Sequence, residues 1–223
     1  MPKIVRSIAA VIFDLDGVLA DTIDLHYRSW QQVADDEGIP FSKSSYEQIL
    51  GMNREDSVNK LLGDRIISAE LKQDMLDRKN NYYLKLVKSL DSSQLLPGVA
   101  DLLAELQFQQ VRIALGSSSK NAEFVLQRLE VRHLFEYVAD GHSVEQFKPA
   151  PDVFLKAAAL LQVEPAQCLV IEDAAAGVLA ALAAGMKVVG VGPPERLSSA
   201  DLVLPSLAGY RWADILSKLA VSN

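Results

Sequence analysis

Two aspartates, Asp14 and Asp16, stand two residues apart directly after a short apolar run. The run, residues 8–13, is β-branched and aromatic and carries no charge, which predicts a buried strand. Alternate side chains of a strand point the same way, about 6–7 Å apart. We therefore expect the two carboxylates to face one small volume at the carboxyl end of a strand, where open α/β sheets bind ligands. An acidic strand-to-loop turn without any chemistry would show the same pattern.

Three further polar segments follow later strand-like runs. Residues 116–121 read Gly-Ser-Ser-Ser-Lys-Asn, Lys148 precedes a proline turn, and Glu172 and Asp173 follow the apolar residues 169–171. Serine hydroxyls and backbone N–H groups that lead into a helix can bind an anion. Each segment also has a simpler explanation: serine as a helix N-cap, lysine as a solvated side chain, and the acids as caps of the next helix.

In combination, the polar segments indicate more than each does alone. Four carboxylates, a serine-rich loop and a lysine fall at one edge of the predicted sheet. Oxygen ligands without a neighbouring histidine or cysteine suit Mg²⁺ better than zinc. Mg²⁺ with hydroxyl, amide and ammonium donors is a set for holding and transferring a phosphoryl group. The chain has neither a Walker P-loop nor a complete GxGxxG motif, so the phosphate is not held as in nucleotide-binding folds.

The elements that position these residues alternate between strands and helices. The fold class that we predict is α/β, with a doubly wound, mostly parallel sheet and helices on both faces. From about residue 22 to residue 93 the pattern is helical and rich in charge, which predicts an inserted α-helical cap domain. The catalytic core would then comprise residues 1–21 and 94–223, joined to the cap by two crossings that suit hinge closure. The strand-like runs are 8–13, 111–115, 137–139, 168–171, 187–191 and 202–204, and the helical patterns are 26–36, 46–50, 54–62, 69–90, 99–107, 121–129 and 153–161.

The composition of the chain disfavours several classes of partner and structure. The chain has 223 residues, 49% of them hydrophobic, and a formal net charge of −7, which disfavours nucleic acid or an anionic membrane as partner. Its single cysteine, Cys168, excludes an internal disulfide and is expected to be a buried core thiol. Residues 174–186 are apolar but too short to cross a bilayer, and we expect a buried helix there. We expect a cytoplasmic monomer without a signal peptide.

Four segments of the chain, in this order, resemble the four motifs of the haloacid dehalogenase superfamily. They are residues 14–18, 116–119, 148–149 and 172–173. The resemblance covers nearly the whole chain, including a helical cap inserted after the first motif. Within the superfamily the chain resembles the β-phosphoglucomutases through residues 21–22, 51–57, 78–80, 119–121 and 148–152, together with His26 and Trp30. Trp30 itself is expected to be a packing residue.

The resemblance implies roles for the core residues. Asp14 would be the nucleophile that forms an aspartyl phosphate, and Asp16 the general acid and base at the sugar hydroxyl. Ser117 and Lys148 would grip the transferring phosphoryl oxygens. The metal ligands would be Asp14, Asp16 through its backbone carbonyl, Glu172 and Asp173.

The cap residues would make the difference between a mutase and a phosphatase. Arg54 would bind a non-reacting phosphate, with Ser118, Ser119, Lys120 and Asn121 from the core. Gly51 and Met52 would approach the sugar, and Lys79 would contact the substrate. His26, one turn from Thr22, would link cap closure to the placement of Asp16; packing is its simpler explanation. Leu50 replaces a lysine that members of the group often carry.

The activity implied is Mg²⁺-dependent interconversion of β-D-glucose 1-phosphate and glucose 6-phosphate, with glucose 1,6-bisphosphate as activator and intermediate. The partner is then a small sugar phosphate. The alternatives are a sugar-phosphate phosphatase of the same superfamily and a non-catalytic phosphosugar-binding regulator.

Overall fold

The chain forms two compact units, seen in a computed structural model that describes residues 8–49, 52 and 54–221. One unit contains the described parts of Met1–Asp21 and Asp91–Asn223, and the other contains those of Thr22–Leu90. The first unit carries a parallel sheet with helices, and the second is helical. The predicted α/β fold class is confirmed.

Six parallel strands form the sheet in the order β3-β2-β1-β4-β5-β6. Every strand-like run of the sequence contains one of them. Two strands reach one residue beyond the predicted end, because Gly116 pairs with Ala139 and Glu172 pairs with Gly190 on the neighbouring strands. The strands are β1 (Ala10–Phe13), β2 (Arg112–Gly116), β3 (Tyr137–Ala139), β4 (Cys168–Glu172), β5 (Lys187–Val191) and β6 (Leu202–Leu204).

The strand order reverses direction between β1 and β4. The chain passes from β1 outward to β2 and β3, and then returns to the other side of β1 for β4, β5 and β6. β1 and β4 lie side by side with Phe13 opposite Ile171. In a doubly wound sheet a crevice forms at such a switch point, outside the carboxyl ends of the strands. The residues that follow Phe13 and Ile171 therefore lie at the edge where a ligand site is expected.

The helical unit is built from α1 (Ile23–Asp36), α2 (Lys43–Glu47), α3 (Arg54–Leu62) and α4 (Ala69–Val87). α1 packs against α4, and Trp30, Val33 and Met75 are buried in the core of the unit. The prediction for Trp30 as a packing residue is confirmed. α2 begins three residues before its predicted start because the Ser42 hydroxyl caps it, accepting the backbone N–H of Ser45 at 3.2 Å. Its predicted last residue, Leu50, lies outside the described residues.

The described part of the sheet unit carries six α-helices. Three of them were predicted from their apolar spacing, and α7 starts directly after Pro151, a position where proline is tolerated. The helix predicted within 174–186 exists, but it is not fully buried, because Leu179 and Leu182 on its outer side are 50% and 38% exposed. No helix among the described residues is long and apolar enough to cross a membrane. The helices are α5 (Val99–Phe108), α6 (Ala122–Arg128), α7 (Asp152–Leu161), α8 (Ala175–Ala183), α9 (Pro194–Leu197) and α10 (Trp212–Val221).

Both faces of the central strands β1 and β4 are buried. Ile12 and Val170 belong to a core cluster with Phe154 of α7 and Val178 of α8. Alternate residues of a strand point to the opposite face, and Val11 there is also fully buried. Because neither face meets water, the strands are almost wholly apolar until the carboxyl edge is reached. The first polar side chains after β1 and at the end of β4 therefore stand out as a group.

We expect truncation of Ile12 to measure the packing on the central strand. Its side chain is fully buried, so Ile12→Ala should lower the free energy of unfolding by about 2–5 kcal/mol and Ile12→Val by about 0.5–1.5 kcal/mol. Ile66, which is 99% exposed, is the control, and Ile66→Ala should change it by less than about 0.5 kcal/mol. Urea unfolding followed by circular dichroism measures all three. Similar losses for Ile12→Ala and Ile66→Ala would contradict the packing described here.

Candidate active site

Asp14 and Glu172 occupy the ends of the two central strands. Asp14 directly follows β1, and its backbone N–H donates to the carbonyl of Ile171 at 2.9 Å. Glu172 is the last residue of β4. The side chains are almost entirely withdrawn from solvent, with 6% of Asp14 and 1% of Glu172 exposed. The parallel pairing of two strands that are distant in sequence thus brings two acidic groups to one place.

Lys148 lies between these two carboxylates. Its ammonium nitrogen Nζ is 2.5 Å from Asp14 Oδ1 and 2.8 Å from Glu172 Oε1. The same nitrogen lies 4.5 Å from the centre of the Phe154 ring, on α7. A buried charge is tolerated when it is paired and hydrogen-bonded, and here one cation is shared by two anions. This geometry agrees with the prediction that Asp14, Lys148 and Glu172 meet at one edge of the sheet.

Asp173 completes a group of three carboxylates. One oxygen each from Asp14, Glu172 and Asp173 lies within 4.8 Å of the others. Asp16 is close enough for its charge to raise the pKa of both Asp14 and Asp173. Carboxylate oxygens without nitrogen or sulfur ligands are the donor set that Mg²⁺ prefers, so the residues present fit that ion.

Burial and neighbouring negative charge both raise the pKa values of Asp14 and Asp173. Burial raises the pKa of Asp14 well above its usual range; Lys148 lowers it, and the neighbouring carboxylates raise it further. Burial, together with the charges of Glu172 and Asp16, raises the pKa of Asp173 to about 7. Burial disfavours the charged form of Lys148, but the attraction of Asp14 and Glu172 outweighs it and raises the pKa of the lysine. The ammonium group therefore stays charged, and the site favours a further positive charge.

The position of the Glu172 carboxylate depends on a glycine in the next helix. The backbone N–H of Ala174 donates to Glu172 Oε2 at 2.7 Å, and the other oxygen, Oε1, faces Gly177 of α8. A Cβ atom at position 177 would lie 1.7 Å from Oε1. α8 is otherwise rich in alanine, which is the better helix former by about 0.5–1 kcal/mol. The glycine thus leaves the space that the carboxylate fills.

We expect Gly177→Ala to impair the site despite improving the intrinsic helix propensity. The added methyl must displace the Glu172 carboxylate, and Lys148 then loses one of its two partners. A displacement of about 1 Å in such a site can cost roughly 100-fold in rate. The rate of phosphoryl transfer from a small aryl phosphate measures the loss of activity, and thermal unfolding checks that the variant is folded. Ala175→Ser, on an exposed neighbour in α8, is the control, and a wild-type rate for Gly177→Ala would contradict this packing.

The serine-rich loop begins at the end of β2, next to β1. The backbone N–H of Ser117 donates to the carbonyl of Ala139 at 3.0 Å. The Ser117 hydroxyl accepts the N–H of Ser119 at 3.1 Å, and the Ser119 hydroxyl accepts the N–H of Asn121 at 3.2 Å. Both are turn bonds between residues two apart. α6 begins after Asn121 without a side-chain cap, so the explanation of these serines as helix N-caps is wrong. Each hydroxyl still has a proton to donate, and Ser117 is buried whereas Ser118 and Lys120 are exposed.

His26 and Lys79 meet inside the helical unit. Lys79 Nζ lies 2.8 Å from His26 Nδ1, and the lysine is only 2% exposed. The imidazole stacks on the Tyr83 ring with 4.1 Å between centroids. The ammonium group also lies 5.5 Å from the Trp30 ring centre and 4.9 Å from that of Tyr83. Thr22 is fully buried at the start of α1, and its carbonyl accepts the His26 N–H at 3.0 Å.

Arg54 begins α3, after a segment that is described only in part. Burial lowers the pKa of Arg54, and the charges of Tyr83 and Asp77 act in the opposite direction. Met52 is 46% exposed, so it is available for contact. Gly51, which the sequence analysis assigns to the sugar site, lies outside the described residues.

Some site residues are brought together by the structure and others are not shown in contact. Asp14, Lys148, Glu172 and Asp173 form one cluster, with the serine-rich loop on the adjacent strand. His26 and Lys79 form a second cluster in the helical unit. The roles assigned to these residues remain predictions.

Two residues that shape these clusters were not singled out from the sequence. Tyr83 stands four residues after Lys79 on α4, which is the spacing of side chains that share a helix face. The spacing alone therefore indicates that Tyr83 is a neighbour of Lys79. Gly177 interrupts an alanine-rich helix, and its partner Glu172 stands five residues earlier.

The sheet order, with an acidic centre at its switch point, is that of an α/β enzyme whose site lies at the carboxyl ends of the strands. Among such enzymes, the chain belongs to the haloacid dehalogenase-like hydrolase family, whose model matches residues 8–185. The predicted resemblance is confirmed.

Its relatives include both mutases and phosphatases. The chain is 42% identical over 200 residues to a β-phosphoglucomutase of Bacillus subtilis (strain 168), covering 87% of this chain and 88% of that protein. A crystal structure of β-phosphoglucomutase from Clostridium difficile matches with a TM-score of 0.89 and 38% identity, covering 95% of this chain and 97% of that one. A fructose-1-phosphate phosphatase of Escherichia coli (strain K12) is 34% identical over 186 residues, covering 82% of this chain and 96% of that protein.

Proposed function

We propose that the protein interconverts β-D-glucose 1-phosphate and glucose 6-phosphate through an aspartyl phosphate at Asp14. The observation that carries the proposal is the buried Asp14 carboxylate, bonded to Lys148 at the switch point of the sheet. The likeness to β-phosphoglucomutases over most of the chain supports the choice of substrate.

Asp14 would act as the nucleophile. A carboxylate oxygen attacks phosphorus of glucose 1,6-bisphosphate, the bond from phosphorus to the sugar oxygen breaks, and the sugar leaves as a monophosphate. The hydroxyl of a bound β-glucose 1-phosphate then attacks the aspartyl phosphate, which re-forms the bisphosphate and frees Asp14. Transfer back from the other end of that bisphosphate releases glucose 6-phosphate. Atoms balance over the cycle, because each phosphoryl group that leaves Asp14 is replaced by one from the sugar.

Asp16 would move the proton. When the sugar oxygen leaves phosphorus, it takes a proton from Asp16, and when a sugar hydroxyl attacks, its proton returns to Asp16. A positioned acid and base of this kind contributes about 100- to 10,000-fold to a rate. Asp16 lies two residues from the nucleophile, and its charge is felt at Asp14, which supports this assignment.

Mg²⁺ would be held by Asp14, Asp173 and the backbone carbonyl of Asp16, with Glu172 beside them. When bound, the ion screens the charge of the phosphate as the carboxylate approaches it. The Lys148 ammonium and the Ser117 hydroxyl would hold the phosphoryl oxygens of the transferring group. Because Lys148 is held by two carboxylates, it is oriented before a substrate arrives.

A mutase needs a second phosphate anchor and must exclude water. Arg54 in the helical unit would supply the anchor, because its planar fork of donors suits a phosphate. Ser118, Ser119, Lys120 and Asn121 would bind the same group from the serine-rich loop. Thr22 and His26, with Lys79 against the imidazole, would couple movement of the cap to the placement of Asp16. Gly51 and Met52 would contact the sugar.

A sugar-phosphate phosphatase is the second candidate. The similarity to a fructose-1-phosphate phosphatase favours it, because the same aspartyl phosphate can be hydrolysed when water reaches it. A non-catalytic phosphosugar-binding regulator is disfavoured, because binding alone needs one anion anchor and not a buried carboxylate held by a lysine.

One incubation distinguishes the two enzymes. The protein is mixed with β-glucose 1-phosphate, Mg²⁺ and a trace of glucose 1,6-bisphosphate, and both glucose 6-phosphate and free phosphate are measured. We expect glucose 6-phosphate with almost no free phosphate. Release of free phosphate alone would overturn the mutase in favour of the phosphatase.

The proton role predicts a difference between substrates for Asp16→Asn. Conversion of the sugar phosphate should fall by about 100-fold or more, because the sugar oxygen is a poor leaving group without a proton. Transfer from 4-nitrophenyl phosphate should fall much less, since that leaving group needs no proton. Asp14→Asn is the matched variant and should abolish covalent labelling from either donor. Equal losses with both donors for Asp16→Asn would remove Asp16 from proton transfer.

If Arg54 binds the second phosphate, Arg54→Ala should weaken binding of the bisphosphate. It should leave phosphoryl transfer from a small donor with a single phosphate unchanged. The half-saturating concentration of glucose 1,6-bisphosphate should rise about tenfold or more, the effect of losing one hydrogen bond between charged groups. Transfer from 4-nitrophenyl phosphate, which has no second phosphate, should stay near the wild-type rate. Lys60→Ala, an exposed cation on the same helix, is the control. Equal losses with both donors would place Arg54 outside a distal phosphate site.

A further inference from the structure

A tight turn after β3 packs against the serine-rich loop. The turn spans residues 140–143, and the loop spans residues 117–121. The backbone N–H of Gly141 donates to the carbonyl of Ser119 at 3.3 Å, and Gly141 is buried. β3 and β2 are neighbouring strands with Gly116 opposite Ala139, so turn and loop leave the sheet side by side.

Space, and not backbone conformation, requires glycine at position 141. A Cβ atom there would lie 2.5 Å from the carbonyl oxygen of Ser118 and 2.9 Å from Cγ of Lys120. The backbone of Gly141 is not in the left-handed region, so any residue could adopt its conformation. The first neighbour is backbone and cannot rotate away, so a side chain at position 141 must move the loop.

The turn itself is held firmly. Asp140 Oδ1 accepts the backbone N–H of His142 and the hydroxyl of Ser143, each at 3.0 Å. In return, the backbone N–H of Asp140 donates to Ser143 Oγ at 3.2 Å. The backbone N–H of Ser143 also donates to the carbonyl of Asp140 at 2.9 Å. A turn closed by four hydrogen bonds can act as a fixed wall for the loop beside it.

We infer that Gly141 is a positioning residue that sets the affinity for the non-transferring phosphate. The inference rests on the proposed function, which assigns that phosphate to Ser118, Lys120 and their neighbours. The absence of a Cβ atom at position 141 leaves room for Ser118 and Lys120. Ser117, proposed to hold the transferring group, is bonded to Ala139, which precedes the turn. A change at position 141 should therefore affect binding of the bisphosphate more than phosphoryl transfer.

The test is Gly141→Ala, studied in two assays. Binding of glucose 1,6-bisphosphate is measured by calorimetry on protein that also carries Asp14→Asn, so that no turnover occurs. We expect the dissociation constant to rise about tenfold relative to Asp14→Asn alone. Covalent labelling from 4-nitrophenyl phosphate, measured on Gly141→Ala alone, should fall less than about threefold. His142→Ala, an exposed neighbour in the same turn, should change neither.

A second pair of variants tests the turn without adding volume. Asp140→Ala removes the side-chain acceptor of two of the hydrogen bonds that hold the turn, and it should weaken bisphosphate binding in the same direction. Asp140→Asn keeps a carbonyl oxygen that can accept both hydrogen bonds, so it should restore binding.

Unchanged bisphosphate affinity in both Gly141→Ala and Asp140→Ala overturns the inference, as do equal losses in the binding and labelling assays. Failure of the proposed function shows itself differently, because the wild-type protein would then release free phosphate and form no glucose 6-phosphate.

Discussion

The ammonium group of Lys148, held between the carboxylates of Asp14 and Glu172, is the interaction on which the candidate site depends. Two carboxylates at the ends of adjacent buried strands repel each other, and burial makes that repulsion expensive. The lysine offsets it by bonding both at once. Burial keeps the pKa of Asp14 well above its usual range in spite of Lys148, and the charges of Glu172, Asp16 and Asp173 raise it further. The fold thus gathers negative charge that a divalent cation would relieve.

The sheet and its neighbouring glycine give that ion pair its geometry. β1 and β4 are sequence-distant strands whose pairing puts Asp14 beside Ile171, and the next residue supplies the second carboxylate. Gly177 then leaves the volume that Glu172 occupies. A residue chosen for helix propensity alone would be alanine, so local stability is given up for the position of one carboxylate. This is the kind of conflict between local and global preference that is expected at functional sites.

The strands were predictable because they are buried on both faces and bounded by polar residues, which leaves short apolar runs of the right length. Helix ends were less predictable. α2 begins at a serine whose hydroxyl caps it, and a hydrophobic pattern does not register that bond. The exposure of Leu179 also escaped prediction, because the composition of an alanine-rich helix does not indicate which of its sides the sheet covers. In both cases the hydrophobic periodicity of the sequence does not describe the contact that decides the outcome. For α2 that contact is a side-chain hydrogen bond, and for Leu179 it is the packing of one helix side on the sheet.

The charged residues of the site could be found because they stand where strands end, and a parallel sheet gathers such positions at one edge. Their mutual contacts could not be found in that way. Lys79 meets His26 across 53 residues of sequence, and Gly141 meets the loop at Ser118 because a methyl group is absent. Both depend on the volumes of side chains from separate segments. A pattern of residue types along the chain does not record those volumes, so these contacts could be found only in the folded structure.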